Sequence, residues 1–247
     1  MKLISLNTWG GKLYKPLSSF LKEQSKTVDV FCFQEVLNIR EKTMQKSWKD
    51  GKLDLYDRIS RLLTGFNGFI TEPYSSFGER MAIFTSKHIH LDSKGVMTLI
   101  DNKNAVTKTG EKIKIGSKLQ WITFNHKGKE FTIANIHGFW IMDNKDDSPE
   151  RIKQSDKVIA FLNSRSGGKV LCGDFNLLPN TSSIKMLEKD MANLIKKYKI
   201  KTTRSSFTPV EKGKFADYVF TSKIKVNDFK VLNKEVSDHL PLLLDFK

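Results

Sequence analysis

The chain has 247 residues, with 42 Lys and Arg against 27 Asp and Glu, a formal net charge of +15 at pH 7. A hydrophobic content of 39%, including 11% aromatic residues, is enough to build a core and excludes disorder throughout. No apolar run approaches the roughly 20 residues that span a bilayer, so no stable membrane association is expected.

In chain order, Met1 to Leu6 reads as a strand and Lys15 to Gln24 as a helix, with Leu17, Phe20 and Leu21 on one face. Val28 to Gln34 reads as a buried strand, and Leu53 to Leu63 as a second helix through Leu55, Ile59, Leu62 and Leu63. Strands follow at Met81 to Thr85, Leu119 to Asn125 and Glu130 to His137, the last two joined as a hairpin through Asn125-His126-Lys127-Gly128. Ser148 as N-cap and Pro149 at the first helical position predict a helix over Pro149 to Asn163. Further strands are expected at Lys169 to Cys172, Phe215 to Thr221 and Leu242 to Phe246. With no repeat or linker and a strand at the very end, residues 1–247 read as one α+β domain of two packed sheets with helices outside.

Arginine supplies only seven of the 42 basic residues. The charge is mostly lysine, which attracts polyanions without selecting a geometry. A phosphate-bearing partner and a lysine-rich solvated surface both account for it. Met1 to Asn7 carries no apolar leader with a small-residue cleavage site, and Cys32 and Cys172 lie in apolar runs, as reduced buried thiols do. A cytoplasmic monomer is expected.

Chemically capable side chains recur at strand ends. Asn7 follows Leu3-Ile4-Ser5-Leu6, Glu35 follows Phe31-Cys32-Phe33-Gln34, and His137 follows Asn135-Ile136. Asp174 and Asn176 follow Val170-Leu171-Cys172-Gly173, Asp217 sits within Phe215 to Phe220, and Asp238-His239 precedes the last strand. Singly, each has an ordinary structural explanation as a cap, turn or buried polar group. Six such strand ends together are what a site built on rigid elements requires.

The segments Ser5-Leu6-Asn7-Thr8-Trp9, Phe33-Gln34-Glu35-Val36, Asn135-Ile136-His137, Gly173-Asp174-Phe175-Asn176, Asp217-Tyr218-Val219-Phe220 and Ser237-Asp238-His239-Leu240-Pro241-Leu242 run in one order. That set resembles the endonuclease/exonuclease/phosphatase superfamily of metal-dependent phosphoesterases. The resemblance implies a four-layered α/β sandwich, with two central mixed β-sheets packed face to face and helices on both outer sides. It implies Mg²⁺ or Mn²⁺, as one or two ions, held by Glu35 with Asn7 and Asp238, oxygen ligands that suit these hard cations. Asp174 would activate or orient the attacking water, with Asn176 holding that water or a phosphate oxygen. His239 would contact the phosphate or serve as acid or base, its tautomer fixed by Asp217, and His137 would contact the phosphate from the other side. One position departs from the family pattern: Phe215-Ala216 stands where members often carry Arg and an apolar residue, with Lys214 as a candidate substitute.

Trp9, Phe139 and Trp140 flank the expected site and could stack on bases or pack beneath loops. The lysines from Lys103 to Lys118 (Lys103, Lys108, Lys112, Lys114, Lys118) and from Lys196 to Lys201 could track a nucleic-acid backbone or simply be solvated. Nucleic acid, DNA or RNA, is the expected substrate; a small or lipid phosphate is the alternative, and a catalytically silent nucleic-acid binder a third reading.

Overall fold

A computed structural model of the chain describes residues 1–39, 48–106, 110–142, 144–209 and 213–247. β1 (Lys2–Asn7), α1 (Tyr14–Gln24) and β2 (Val30–Leu37) form a parallel crossover, with the strands in register from Leu3↔Val30 to Asn7↔Gln34. The predicted stripe of Leu17, Phe20 and Leu21 is the buried face of α1. After α2 (Leu55–Leu62) come β3 (Phe66–Ile70) and β4 (Glu79–Ser86), an antiparallel pair that joins the free edge of β2.

The second sheet starts with a long hairpin, β5 (Leu91–Val106) and β6 (Lys112–His126), and continues to β7 (Lys129–His137). From β7 the chain crosses through α3 (Pro149–Asn163) to the parallel β8 (Gly168–Asp174). α3 starts where its cap signals place it: the Arg151 amide donates to Ser148 Oγ at 3.3 Å, and Pro149 needs no partner for an N–H it lacks. α4 (Ser182–Glu188), the two-residue β9 (Ala192–Asn193) and α5 (Leu194–Lys197) lead to β10 (Asp217–Ser222), antiparallel to β8. The chain then returns to the first sheet through β11 (Val226–Val231) and β12 (Leu242–Phe246), which closes on β1. Strand orders are β11-β12-β1-β2-β4-β3 and β5-β6-β7-β8-β10-β9.

Strand alternation sorts the side chains into layers. Leu3, Val30 and Cys32 face the second sheet and share one core with Ile133, Ile136, Val170 and Cys172. Ile4, Leu6, Phe31 and Phe33 face outward and pack with Leu17, Phe20, Leu21, Leu55 and Ile59 of α1 and α2. The architecture is thus a four-layered sandwich of two six-stranded mixed sheets with helices outside. Cys32 and Cys172 are free and fully buried, and burial pushes the Cys32 thiol up, with Cys172 hydrogen-bonded beside it. Among the described residues no helix is long and apolar enough to cross a membrane.

Near one end of the sandwich the inter-sheet core turns polar. Gln34 Nε2 donates to Asn135 Oδ1 at 2.6 Å, and Asn135 Nδ2 donates to the Phe33 carbonyl at 3.1 Å. These fully buried amides tie β2 to β7 and hold the two sheet ends in a fixed relation.

Candidate active site

β1 places its chemistry by simple alternation. Leu3, Ser5 and Asn7 share the face toward the second sheet, and Asn7 Nδ2 donates to Asp174 Oδ2 at 3.0 Å across the gap and to Glu35 Oε1 at 2.9 Å. Its Oδ1 accepts the Trp9 amide at 2.9 Å, which fixes the amide's orientation. β2 cannot work this way. Continuing its alternation would put Glu35 with Phe31 and Phe33, in the apolar layer under α1 and α2. Instead the register shifts between Phe33 and Val36, and Glu35 adopts φ 52°, the left-handed region. The bulge turns the carboxylate into the gap and returns Val36 to the apolar layer. Thr8 Oγ1 donates to the Gln34 and Glu35 carbonyls at 3.0 and 2.9 Å and pins the bulge.

The second sheet delivers its groups in unbroken register. His137, Asp174 and Asp217 lie side by side on β7, β8 and β10. The unusual backbone falls on a neighbour: Gly173 has φ 137°, and a Cβ there would meet the Ile136 carbonyl oxygen at 2.0 Å. Asn176, at φ 54°, donates its amide N–H to Asp174 Oδ1 at 2.8 Å and its Nδ2 to the Gly138 carbonyl at 3.2 Å. His137 Nε2 stands 3.7 Å from both Glu35 Oε1 and Asp174 Oδ2, while its Nδ1 meets the Tyr74 hydroxyl at 2.6 Å.

The loop before β12 completes the ring. His239 Nδ1 lies between the two oxygens of Asp217 at 2.8 and 2.9 Å, and its Nε2 is 3.6 Å from Asp174 Oδ2. Asp238 lines the same cavity. Residues 203–205 brace this loop. Thr203 Oγ1 donates to Asp217 Oδ2 at 2.9 Å, the Ser205 amide donates to the Asp238 carbonyl, and Arg204 bridges His239 through the backbone. The Arg204 side chain, 8% exposed, brings Nη1 onto His239 Nε2 and within 3.4 Å of Asp238 Oδ2. This guanidinium is the cation in contact with His239; Lys214, the sequence's candidate, is exposed and does not line the cavity.

The electrostatics divide the two sheet ends. Burial raises the Glu35 carboxyl, and neighbouring Asp238 adds to that against His137, Asn7 and His239. Burial also acts on Asp174, but His239, His137 and Arg204 hold it well below the usual carboxylate range. Burial opposes a charge on His137, yet Asp174, Glu35 and Glu79 lift its pKa to about 9. Burial and Glu35 raise Glu79 to about 7. For His239, burial and Arg204 oppose a proton, and Asp217, Asp238 and Asp174 outweigh them. Arginine has no acceptor, so its contact with Nε2 requires that nitrogen unprotonated; the contact and a proton compete for one lone pair.

These groups surround one cavity of about 760 Å³. Five carboxylates line it, Glu35, Glu79, Asp146, Asp174 and Asp238, with Lys12, Lys145, Arg204 and the two raised histidines among them. Carboxylates gathered in this way in a chain of charge +15 are what a divalent cation would coordinate. Glu35, His137 and Asp174 each offer a ligand atom, all within 4.8 Å of one another, as do Asp174, Asp217 and His239. Each set joins two carboxylates to one imidazole nitrogen, donors that fit a divalent cation such as Mg²⁺ or Mn²⁺ mainly through the carboxylate oxygens.

Trp9 and Trp140 line the cavity, and Lys12 Nζ sits 4.3 Å over the Trp9 ring. Phe139 does not join them. It is 4% exposed and belongs to the hydrophobic core, because consecutive side chains leaving β7 diverge and Trp140 is the one that faces outward. A fully buried Arg151 holds this rim loop through the Phe139, Asn144 and Asp146 carbonyls at 3.1, 2.9 and 2.6 Å. Lys103, Lys112, Lys114 and Lys118 lie on the β5–β6 hairpin, where Lys114 pairs with Asp101 at 3.2 Å; Lys108 lies outside the described residues. Lys196 pairs with Glu188 at 2.6 Å, and Lys129, Lys223, Lys225 and Lys247 line a groove at the opposite end of β7. The positive excess is not gathered at the cavity.

A two-sheet sandwich with an acid- and imidazole-lined cavity at its strand ends is the frame of phosphoesterase hydrolases. The chain belongs to the Endonuclease/Exonuclease/phosphatase family, whose model matches residues 4–239. Among solved structures, an endonuclease/exonuclease/phosphatase of Bacteroides vulgatus superposes with TM-score 0.70 at 16% identity, covering 100% of this chain and 98% of its own. The mannosyl-6-phosphatase of Bacteroides thetaiotaomicron VPI-5482 gives 0.72 at 18%, covering 100% and 99%. The human Nocturnin catalytic domain with bound sulfate gives 0.67 at 19%, covering 100% and 93%. At these identities the likeness is one of fold. No curated protein matches the sequence.

Proposed function

We propose that this protein is a Mg²⁺- or Mn²⁺-dependent phosphoesterase that hydrolyses phosphodiester bonds, with nucleic acid as its substrate. One observation carries the reading: Asp174 Oδ2 lies between His137 Nε2 and His239 Nε2, at 3.7 and 3.6 Å, opposite Glu35 in an acid-rich cavity. Glu35, with Asp238 beside it, would hold the divalent cation, which when bound supplies Lewis-acid polarisation of the phosphate, while Asn7, which the sequence offered as a further ligand, turns its Nδ2 rather than its oxygen to Glu35 and Asp174 and would position those carboxylates. The chain's own residues supply the rest. Asp217 accepts the Nδ1 proton of His239, which fixes the tautomer and points Nε2 at the phosphate. Asp174 keeps its carboxylate, and with one oxygen anchored by the Asn176 amide it aligns the attacking water with the other. His137, held by Tyr74 through Nδ1, directs Nε2 at the phosphate from the opposite side. Trp9 and Trp140 offer stacking surfaces for bases at the rim.

The cavity volume favours a second substrate reading. About 760 Å³ is the size of a small-molecule site, which suits an inositol-type, sugar or lipid phosphate headgroup. A Mg²⁺ or Mn²⁺ panel of duplex DNA, abasic DNA, single-stranded RNA, and inositol and lipid phosphates separates the two. Activity should vanish with chelator, in Glu35→Ala and in His239→Ala. Survival of hydrolysis in either variant rules out the proposed site; turnover confined to the small phosphates overturns the nucleic-acid reading.

A further inference from the structure

Arg204 is the buried cation of the cavity, and its hydrogen bonding is incomplete. A guanidinium has five N–H donors in a planar fork and is costly to bury without acceptors. Here Nη1 meets His239 Nε2 and makes a long contact to Asp238 Oδ2 at 3.4 Å, and Nε is buried with no partner. The backbone beneath it is rigidly held. The Arg204 amide donates to Thr202 Oγ1 at 3.0 Å, and Thr202 Oγ1 also reaches the Lys214 carbonyl at 2.9 Å. A fixed backbone, a shielded fork whose Nη1 covers His239 Nε2, and a buried Nε left without an acceptor form a half-built oxyanion site. The other cavity cations differ: Lys145 donates to the Phe215 carbonyl at 2.9 Å, and Lys12 stands over Trp9.

We propose that Arg204 is the phosphate clamp of this site and the cap on His239. Without substrate its Nη1 occupies Nε2 of His239. An arriving phosphate offers two oxygens in the spacing the fork matches, a better partner than one imidazole nitrogen and one distant carboxylate oxygen. The guanidinium then moves to the phosphate and frees Nε2 toward the same group, so His239 is uncovered only when a phosphate is present. The inference rests on the phosphoesterase reading only for its catalytic consequence; phosphate capture by Arg204 stands separately.

The test is binding of inorganic phosphate by calorimetry in Mg²⁺, with hydrolysis of bis-(p-nitrophenyl) phosphate beside it, for wild type, Arg204→Ala and Arg204→Lys. Loss of charge-assisted hydrogen bonds should weaken phosphate binding about ten- to a hundredfold in Arg204→Ala, with Arg204→Lys between, since lysine keeps the charge but not the fork. Added free guanidinium should restore part of the hydrolysis by Arg204→Ala and none in wild type, a response that a merely structural role would not give. If Arg204→Ala does not fold, Arg204→Lys carries the test through the same binding measurement. Equal phosphate affinity in wild type and a folded variant, or no phosphate binding by wild type, overturns the clamp. Phosphate held through Arg204 with no hydrolysis of any phosphoester overturns the catalytic reading and leaves the clamp intact.

Discussion

The β1–α1–β2 and β7–α3–β8 units share one plan, a parallel strand pair with a crossover helix and polar side chains at the strand ends, yet they deliver their carboxylates in opposite ways. Asp174 arrives in regular register, satisfied by the Asn176 amide and Asn7, and surrounded by His137, His239 and Arg204. Glu35 arrives through a bulge at φ 52°, among Asp238 and other acids, and its carboxyl is raised. Both carboxylates accept from Asn7 and stand 3.7 Å from His137 Nε2, but Asp174 adds His239 and Arg204 whereas Glu35 adds a like charge, Asp238. Like charge gathered at one point is what a bound cation would offset.

The largest effect that would break this contrast is on rate. Glu35→Ala and Asp174→Ala should each lower phosphodiester hydrolysis on the order of 10³-fold, measured as kcat/KM in saturating Mg²⁺. If only one does, the two ends are not partners in one site. Next, Mg²⁺ at 100 times its Kd should add about 2.7 kcal/mol to wild-type stability in denaturant titrations and nothing to Glu35→Ala. An equal gain in both would place the ion elsewhere. In chelator the two ends should then separate by sign. Asp174→Asn strands the partners of a satisfied carboxylate and should cost about 1–3 kcal/mol, whereas Glu35→Gln relieves charge crowding and should leave the unfolding midpoint unchanged or higher.

The smallest effect sharpens the contrast from outside the cavity. Asp147 accepts the Ser182 amide at 2.6 Å and the Ser183 amide at 2.9 Å at the start of α4, beneath the rim loop. Burial alone would raise its pKa, but the Ser183 and Ser182 hydrogen bonds lower it. A carboxyl lowered in the folded state stabilises above its unfolded pKa of about 3.9, and the contribution disappears as pH falls through the folded value. Asp147→Asn should therefore show a slightly flatter acid limb in the stability–pH curve and an unchanged Mg²⁺ response. An altered Mg²⁺ response would mean that the rim loop, not β2 and its neighbours, sets the ion's affinity.

Strongly patterned elements were legible in advance. α1 and α3 begin and end within a residue of the spans their apolar spacing and caps predict, because local signals alone specify them. β5 and β11 were not. Polar and apolar residues mix in them without a sustained buried run, and they are strands because a neighbouring strand pairs with them. Within α3, apolar Ile152 and Ile159 are only half-buried while Arg151 and Gln154 are buried, since the polar face clamps the rim loop through the Phe139 carbonyl and amide. A pattern of apolar residues does not reveal a buried polar face of that kind.

The candidate site divides along the same line. The order of short motifs along the chain was enough to name Asn7, Glu35, His137, Asp174, Asn176, Asp217, Asp238 and His239, and the family with its four-layered sandwich, because strand-end chemistry is written locally. Arg204, Tyr74 and Glu79 carry no local mark; each is a single polar residue in a turn or at a strand start, made relevant only by the packing of distant segments against the cavity. Charge was the most misleading of the sequence's numbers, since +15 belongs to the whole surface while the cavity itself gathers carboxylates. Residue types and their spacing determined which groups this chain can use. Which of them meet, and that Glu35 turns inward through a bulge while Arg204 comes to cover His239, was decided by two sheets packing face to face, a long-range event that no local pattern encodes.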